Sequence, residues 1–500
     1  MRFWGTRASV SNRIYLSHRT GAMIGRDLLH VLALLLPVLH GLGIVTAVHA
    51  VMKTRTSQGA IAWAFALITV PYLALPLYWI FGRDRFMGYV KARRDEGERI
   101  ANLRASLALA ALEVALLPEG DPAVYGVFDR LAHMPFAAGN TARLLVDGKA
   151  VFDAIFAGID GARSYVLAQF FIVHDDQIGR EFQARLIAKA RQGVRVHFLY
   201  DEIGSHALPR RYLRELREAG VEARPFLTSR DLRNRFQINF RNHRKIVVVD
   251  GSDAWVGGLN VGDEYLGRSA RFGAWRDTHV AISGPAVKAV QLSFVDDWHW
   301  STREVPKLDW SIEPEKRGGK AVLVLPSGPV DRLDTCTLFF VHAIQSAKKR
   351  LWITSPYFVP DPAIISALQL AVLRGVDVRI MLPSRPDHWL SWLASFSYLK
   401  DTLPWGVKMY RYQGGFLHQK VLLIDDGLAS VGTANLDMRS LRLNFEITLL
   451  FADAGFAAEI AKMLEADFAR CRPLLMAEIA DRSAPFRLAV QFARLLAPAL

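Results

Sequence analysis

Two stretches near the N-terminus are apolar almost without a break. Residues 28–52 (LLHVLALLLPVLHGLGIVTAVHAVM) and 60–81 (AIAWAFALITVPYLALPLYWIF) are each long enough, as helices, to cross a hydrocarbon core of about 30 Å. The second carries Trp63 near one end and Tyr78 and Trp79 near the other, where interfacial aromatic anchors belong; Pro71 and Pro76 are tolerated in such spans. Arg2, Arg7, Arg13, Arg19 and Arg26 precede the first stretch, and Arg83, Arg85, Lys91, Arg93 and Arg94 follow the second. Only Lys53 and Arg55 lie between, so the positive-inside rule predicts a transmembrane hairpin over residues 1–82 with both ends in the cytoplasm. His30, His40 and His49 sit in or beside the first span; intramembrane ionisable groups are functional candidates by default, yet neutral histidines paired within the hairpin account for them more simply. A cleaved signal peptide, with Val48 and Ala50 mimicking its small-residue site, and a pair of buried core helices are the competing readings. The length of the first stretch and the second span directly behind it argue against both.

The pattern then changes. Residues 83–137 begin rich in Arg and Glu and pass into RASLALAALEVALL, a basic juxtamembrane helical linker able to lie against anionic headgroups. Beyond it, short apolar strands alternate with helical stretches, and they do so twice. YVLAQFFIV, Asp175, a helical stretch and GVRVHFLYD in the first half are matched by LWITSPYFV, Asp361, a helical stretch and GVDVRIMLP in the second. This alternation predicts an α/β fold with parallel strands in two similar halves, residues 138–318 and 319–483. The tail, 484–500, has apolar residues at helical spacing with Arg487 and Arg494 on another face; it reads equally as an amphipathic helix on a lipid surface or as a helix packed on the domain.

Composition narrows the function. At 500 residues and 51% apolar the chain is neither disordered nor collagen-like, and only Cys336 and Cys471 are present, so a disulfide scaffold and a cysteine-built zinc site are excluded. Sixty-two Lys and Arg against 48 Asp and Glu leave a net charge of +14, which favours an anionic partner, either nucleic acid or an acidic lipid surface.

The repeat sharpens into chemistry. NHRKIVVVD supplies His243, Lys245 and Asp250; LHQKVLLID supplies His418, Lys420 and Asp425; both read H-x-K-x4-D. A glycine-rich turn with an asparagine follows each, Gly257, Gly258 and Asn260 in one and Gly432, Thr433 and Asn435 in the other, and the His-to-Asn interval is 17 in both. One such motif is a weak signal; two at the same internal spacing are not chance. Positions i and i+2 of a strand project together, so each His and Lys share a face. Two imidazoles, two ammonium groups, the Asn260 and Asn435 amides and the Thr433 hydroxyl would suit a phosphodiester, whose oxyanions gain charge in the transition state. One histidine would attack phosphorus and the other move the proton of the alcohol. Asp277 (in WRD) and Glu446 (in NFE) are the carboxylates expected to orient the imidazoles, whereas Asp250 and Asp425, ending apolar strands, read as buried structural acids. No metal or other cofactor is required by this set. The competing reading, satisfied core histidines and surface lysines, suits either motif alone but not the pair. His174, His299 and His388 read as loop or packing residues, and Tyr357 either lines the cleft or packs.

These motifs resemble the phospholipase D superfamily, and within it the bacterial cardiolipin synthases. The finer matches are NHRKIVVVDG, GGLNVGDEY, WRDTHV, SPYFVPD, FLHQKVLLIDD, VGTANLDMRS, LNFE and the N-terminal span pair. The resemblance implies two phospholipase D-like α/β halves sharing one active site at their interface. It further implies attack by one histidine on a phosphatidylglycerol to release glycerol, and resolution of the phosphatidyl-histidine by a second phosphatidylglycerol to give cardiolipin. In relatives the first-motif histidine is usually the nucleophile, which implies attack by His243 and proton transfer by His418. Implied partners are phosphatidylglycerol, other anionic phospholipids and the bilayer, with no nucleic acid; the implied location is the bacterial inner membrane, multi-pass, with the catalytic part in the cytoplasm. Two departures stand out: Gln169 where close relatives often carry an acid, and Gly258 where the second half has Thr433, which would leave the first half one phosphate donor short. Alternatives are a hydrolytic phospholipase D, a phosphatidyltransferase with another acceptor such as phosphatidylethanolamine, a superfamily nuclease, and a non-catalytic lipid-binding scaffold. The hairpin speaks against the nuclease and the two intact motifs against the scaffold; the basic run Arg224–Lys245 reads as a headgroup-facing rim.

Overall fold

The computed structural model describes residues 33–497 apart from 55, 83–88, 90–96, 116–120, 227–238, 314 and 316–317. His30, the arginines before residue 33, Arg55, the five Lys and Arg residues between 83 and 94, and the middle of the 224–245 run lie outside the described residues. The chain divides into two compact units, Met1–Asp84 and Arg85–Leu500.

In the first unit the helix Ala33–Lys53 is long and apolar enough to span a bilayer. The second apolar stretch is not one helix: it breaks at Val70 into Ser57–Thr69 and Pro71–Phe81, because Pro71 has no N–H to continue the ladder and disfavours helical geometry in the residue before it. The two arms nevertheless pack, with Ala47, Ala50, Leu67, Ala74 and Tyr78 buried between them. At Gly43 a Cβ would lie 2.2 Å from the Leu67 carbonyl oxygen, so only glycine fits there. His49 Nδ1 meets the Tyr78 hydroxyl at 2.8 Å, a pairing within the hairpin.

The second unit carries the repeat as topology. Its first half orders strands Ala137–Val146, Thr278–Ser283, Asp253–Gly257, Ile246–Val249, Tyr165–Phe170, Arg195–Asp201 and Glu222–Phe226 across the sheet. The second half repeats that order with Lys320–Ser327, Asn444–Ala452, Leu428–Gly432, Val421–Ile424, Arg350–Thr354, Asp377–Pro383 and Lys408–Tyr412, then adds Cys471–Pro473 at the edge. The halves join edge to edge where Ala137–Val146 pairs antiparallel with Lys320–Ser327 through an irregularity between Ala137 and Asn140. Fully buried Asn140 holds that join, donating to the Ala137 and Lys320 carbonyls and accepting from Ala286 N at the start of a helix. One apolar cluster contains inward residues of both halves (Leu167, Val248 and Val256 with Leu423, Val431 and Leu449) and of the helices Ala286–Thr302 and Ala454–Phe468. The outer helices cover the opposite faces in two further clusters.

Two expectations change here, and the tail takes one of its two expected forms. The 83–137 segment is not a free linker: Arg104 grips Asp296 at 2.6 and 2.8 Å, and Tyr125, Phe128 and Leu131 are built into the core of the second half. Helix Ala484–Leu495 of the tail docks on the second half through Phe486, Val490 and Ala493. Asp361 corresponds to Asp176 rather than Asp175, because Asp176 and Asp361 are the acids that cap the helices following their strands.

Candidate active site

Two very short parallel ladders create the site. Arg241–Asn242 pairs with Asn444–Phe445, and Phe416–Leu417 pairs with Trp275–Arg276. Each ladder joins one half to the other, and the next residue on each strand is a candidate from the motifs: His243 beside Glu446, and His418 beside Asp277. Backbone bonds His243 N to Phe445 O (2.9 Å) and His418 N to Arg276 O (2.8 Å) continue the registers. The acids are therefore exchanged between halves. His243 Nδ1 meets Glu446 Oε2 at 3.0 Å and His418 Nδ1 meets Asp277 Oδ2 at 2.8 Å. Chain order placed each acid after its own motif; only the crossing shows that it serves the other one.

With Nδ1 donating to carboxylate, Nε2 of each ring is the basic, reactive nitrogen. Only 8% of His243 and 7% of His418 is exposed, and burial governs their protonation. It pushes His243 down to about 4 against the pull of Glu446, with Lys245 lowering it further, and it holds His418 well below the usual imidazole range with help from Lys420. His418 also lies within electrostatic reach of His243 and Lys245, and His243 within reach of Lys420. Lys245 and Lys420 each donate to the carbonyl of their own histidine at 2.6 Å, and the Lys420 ammonium lies 3.1 Å from His418 Nε2. Desolvation lowers both lysines, Lys420 to about 8. An ammonium has three hydrogens, so each keeps donors for a phosphate oxygen.

The two acids differ. Burial works to raise Glu446, but His243, Lys245 and the Thr433 hydroxyl outweigh it and hold its carboxyl below the ordinary range. Glu446 accepts from Thr433 (2.5 Å), Ser440 (2.8 Å) and Asn444 (3.2 Å) besides His243. Asp277 accepts from Thr278 N at 2.8 Å, and burial leaves it raised.

Several sequence expectations are corrected by these contacts. The Thr433 hydroxyl donates to Glu446. Gly258 is not a missing donor: a Cβ there would sit 2.1 Å from Asp277 Oδ1, so the space taken by Thr433 in one half is taken by the acid itself in the other. Asn260 donates one N–H to the Tyr265 hydroxyl and accepts from Ile172 N, which fixes its amide against the loop. Asn435 donates to Asp437, and its Oδ1 has no partner among the described residues. Asp250 and Asp425 are half-buried rather than buried; each accepts three consecutive backbone N–H groups (Arg163 to Tyr165, and Lys348 to Arg350), which anchors the starts of neighbouring strands away from the imidazoles. Arg244 and Lys245 are buried and form no headgroup rim. Gln169 and Asn242 donate to Asp297, which also binds Arg244 at 2.8 Å; in the second half Gln419, at the place of Arg244, donates to Asp467, which grips Arg276.

Asp387 escaped the sequence reading. It accepts from the Tyr357 hydroxyl, its charge reaches His418 and Lys420, and Arg271 of the first half touches its carbonyl at 3.4 Å. No repeat partner marks it in the sequence: Ile172 occupies the place of Tyr357 in the first half.

A family model described as cardiolipin synthase, PLD-like domain, matches residues 155–291 and 340–471, and one described as phospholipase D-nuclease N-terminal matches 41–83. The chain is 50% identical to cardiolipin synthase A of Pseudomonas putida over 93% of its own length and 97% of that protein, and 50% identical to cardiolipin synthase A of Pseudomonas fluorescens over 94% and 99%. Among solved structures it is similar to phosphatidylserine synthase of Haemophilus influenzae, with a TM-score of 0.59 at 15% identity, covering 76% of this chain and all of that one.

Proposed function

We propose a mechanism on one premise: this chain belongs to the bacterial cardiolipin synthases of the phospholipase D superfamily, enzymes of the phosphatidyltransferase class. Its substrates are phospholipids such as phosphatidylglycerol. His243, neutral at pH 7 and oriented by the ionised Glu446, attacks the phosphorus of one phosphatidylglycerol through Nε2. The P–O bond to glycerol breaks, and His418, protonated once the phosphate anion has entered, gives its proton to the departing alkoxide. His418, neutral again, then takes the proton of the hydroxyl of a second phosphatidylglycerol, whose oxygen displaces His243 from phosphorus and forms cardiolipin. Lys245 and Lys420 hold the equatorial oxygens where charge builds.

The observation that carries this reading is the exchange of acids. Each imidazole is fixed by a carboxylate from the opposite half, so neither half is complete alone. The division of labour follows from their difference. Glu446, with four donors and a depressed pKa, stays anionic and supports a nucleophile that becomes positive on attack; Asp277, raised by burial and less tightly held, leaves His418 freer to gain and lose a proton.

Purified full-length enzyme in vesicles of phosphatidylglycerol alone tests the reading. Cardiolipin and glycerol in equal amounts are expected. Phosphatidic acid with glycerol would make it a hydrolase, and no turnover would remove the mechanism.

The N-terminal unit supports a membrane-associated enzyme. We propose that Ala33–Lys53 and the kinked pair Ser57–Phe81 form a hairpin in the inner membrane with the catalytic unit in the cytoplasm. Single cysteines placed before residue 28 and after residue 82 should both resist an impermeant thiol reagent added to spheroplasts. Labelling of either one contradicts the hairpin.

A further inference from the structure

We propose that the C-terminal helix Ala484–Leu495, with the start of helix Trp389–Phe396, is a second bilayer contact that holds the catalytic unit on an anionic lipid surface. The C-terminal helix has two apolar faces. Phe486, Val490, Ala493 and Ala497 recur at helical spacing and form the face docked on the protein, where Phe486 packs on Trp392 and Phe396 with ring centroids 6.3 and 5.5 Å apart. Leu488, Phe492, Leu495 and Leu496 form the other face and are exposed by 60, 60, 74 and 50%. A helix docked on a water-soluble surface needs only the first face; the second has no use in water.

Exposed Arg487 and half-buried Arg494, whose guanidinium lies 5.8 Å over the Tyr398 ring, run along the border between the two faces, and Arg482 sits over the Phe486 ring at 5.1 Å. An apolar face edged by arginines matches the boundary between anionic headgroups and acyl chains, which selects lipid over a second copy of the chain as the occupant. The partner helix adds Trp389 (64% exposed) and Leu390, preceded by exposed Arg385. Trp389 follows Asp387 by two residues, and Asp387 bonds Tyr357 and reaches His418 electrostatically. The surface is thus continuous in sequence with a residue that reaches His418.

The experiment uses full-length enzyme carrying Phe492→Trp, a conservative change at an exposed position, reconstituted in phosphatidylglycerol vesicles with or without brominated acyl chains. The added emission, taken as the difference from the parent protein, should be quenched by at least twofold in brominated vesicles. Equal emission in the two vesicles overturns the proposal, as does burial of residue 492 by self-association in lipid-free detergent. A second variant, Leu488→Ser/Phe492→Ser/Leu495→Ser, should lose roughly tenfold in rate on vesicles at low mole fraction of phosphatidylglycerol and stay within twofold on monomeric short-chain phosphatidylglycerol; equal rates on both overturn it too. Quenching reads membrane contact without turnover, so its failure is distinct from failure of the mechanism.

Discussion

His243 and His418 share a fold environment but not a task, and their protonation is where the difference can be measured. Both are kept neutral by burial, so one proton must arrive with the substrate for His418 to act as an acid. Binding of a phosphodiester should therefore take up close to one proton at pH 7, and affinity should fall as pH rises; calorimetry with a non-hydrolysable phosphatidylglycerol analogue in buffers of different ionisation enthalpy reads this directly, and no uptake contradicts it. The exchanged acids give a second expectation. Glu446→Gln and Asp277→Asn should each lower turnover by roughly 10²–10⁴-fold while leaving membrane insertion and folding intact. Glu446→Gln should slow attack on phosphorus, seen as slower release of the first glycerol in a single turnover. Residue identity was legible at this scale: both histidines, both lysines and both acids were named by spacing. Their connections were not, because a sequence orders residues along the chain and the ladders Arg241–Asn242 with Asn444–Phe445 and Phe416–Leu417 with Trp275–Arg276 cross it. Side-chain hydroxyls and amides were the least legible, since Thr433 and Asn260 have donors that any nearby acceptor can claim.

At the level of elements, the repeat is a template in which paired positions are filled differently. Gly258 and Thr433 occupy one place; Asp277 and Glu446 another. The pairs compensate, a shorter acid resting on a glycine and a longer one held by a hydroxyl. Gly258→Ala should then push the Asp277 carboxylate off His418, costing about 1–3 kcal/mol of stability and most of the activity, whereas Thr433→Ser should be nearly silent. Strands and helices of the halves were readable because alternation of β and α periods repeats over long stretches. The 83–137 segment was misread for a physical reason: its surface composition resembles a headgroup-binding linker, while the contacts that dock it, Arg104 on Asp296 and Phe128 in the second-half core, are long-range. The buried pair Arg244–Asp297 belongs to this scale as well. Asp297 gathers Gln169, Asn242 and Arg244, so Asp297→Ala removes the carboxylate counter-ion of a buried guanidinium and should cost about 3–5 kcal/mol in denaturant unfolding.

For the whole molecule, buried neutral histidines tie stability to pH. His243, His197 and His279 are all lowered by burial to about 4, from an unfolded value near 6.5. The unfolded chain binds the extra protons first, so this stability is fully present above pH 6.5 and is lost as pH falls toward 4. The part of the thermal midpoint set by these histidines should drop across that window, while the buried acids raised by desolvation, Asp201, Asp277 and Asp437, act in the opposite sense. The two-half architecture itself was legible from the duplicated motifs, but the edge-to-edge join at Asn140 and the sandwiching of both inner faces in one apolar cluster needed coordinates. The most direct test of the composite site uses a phosphatidyl donor with p-nitrophenol as leaving group, which departs without a general acid. His418→Ala should release one nitrophenol per enzyme in a burst and retain the phosphatidyl group on the peptide containing His243, while His243→Ala shows no burst. A burst from His243→Ala with the adduct on His418 would contradict the account.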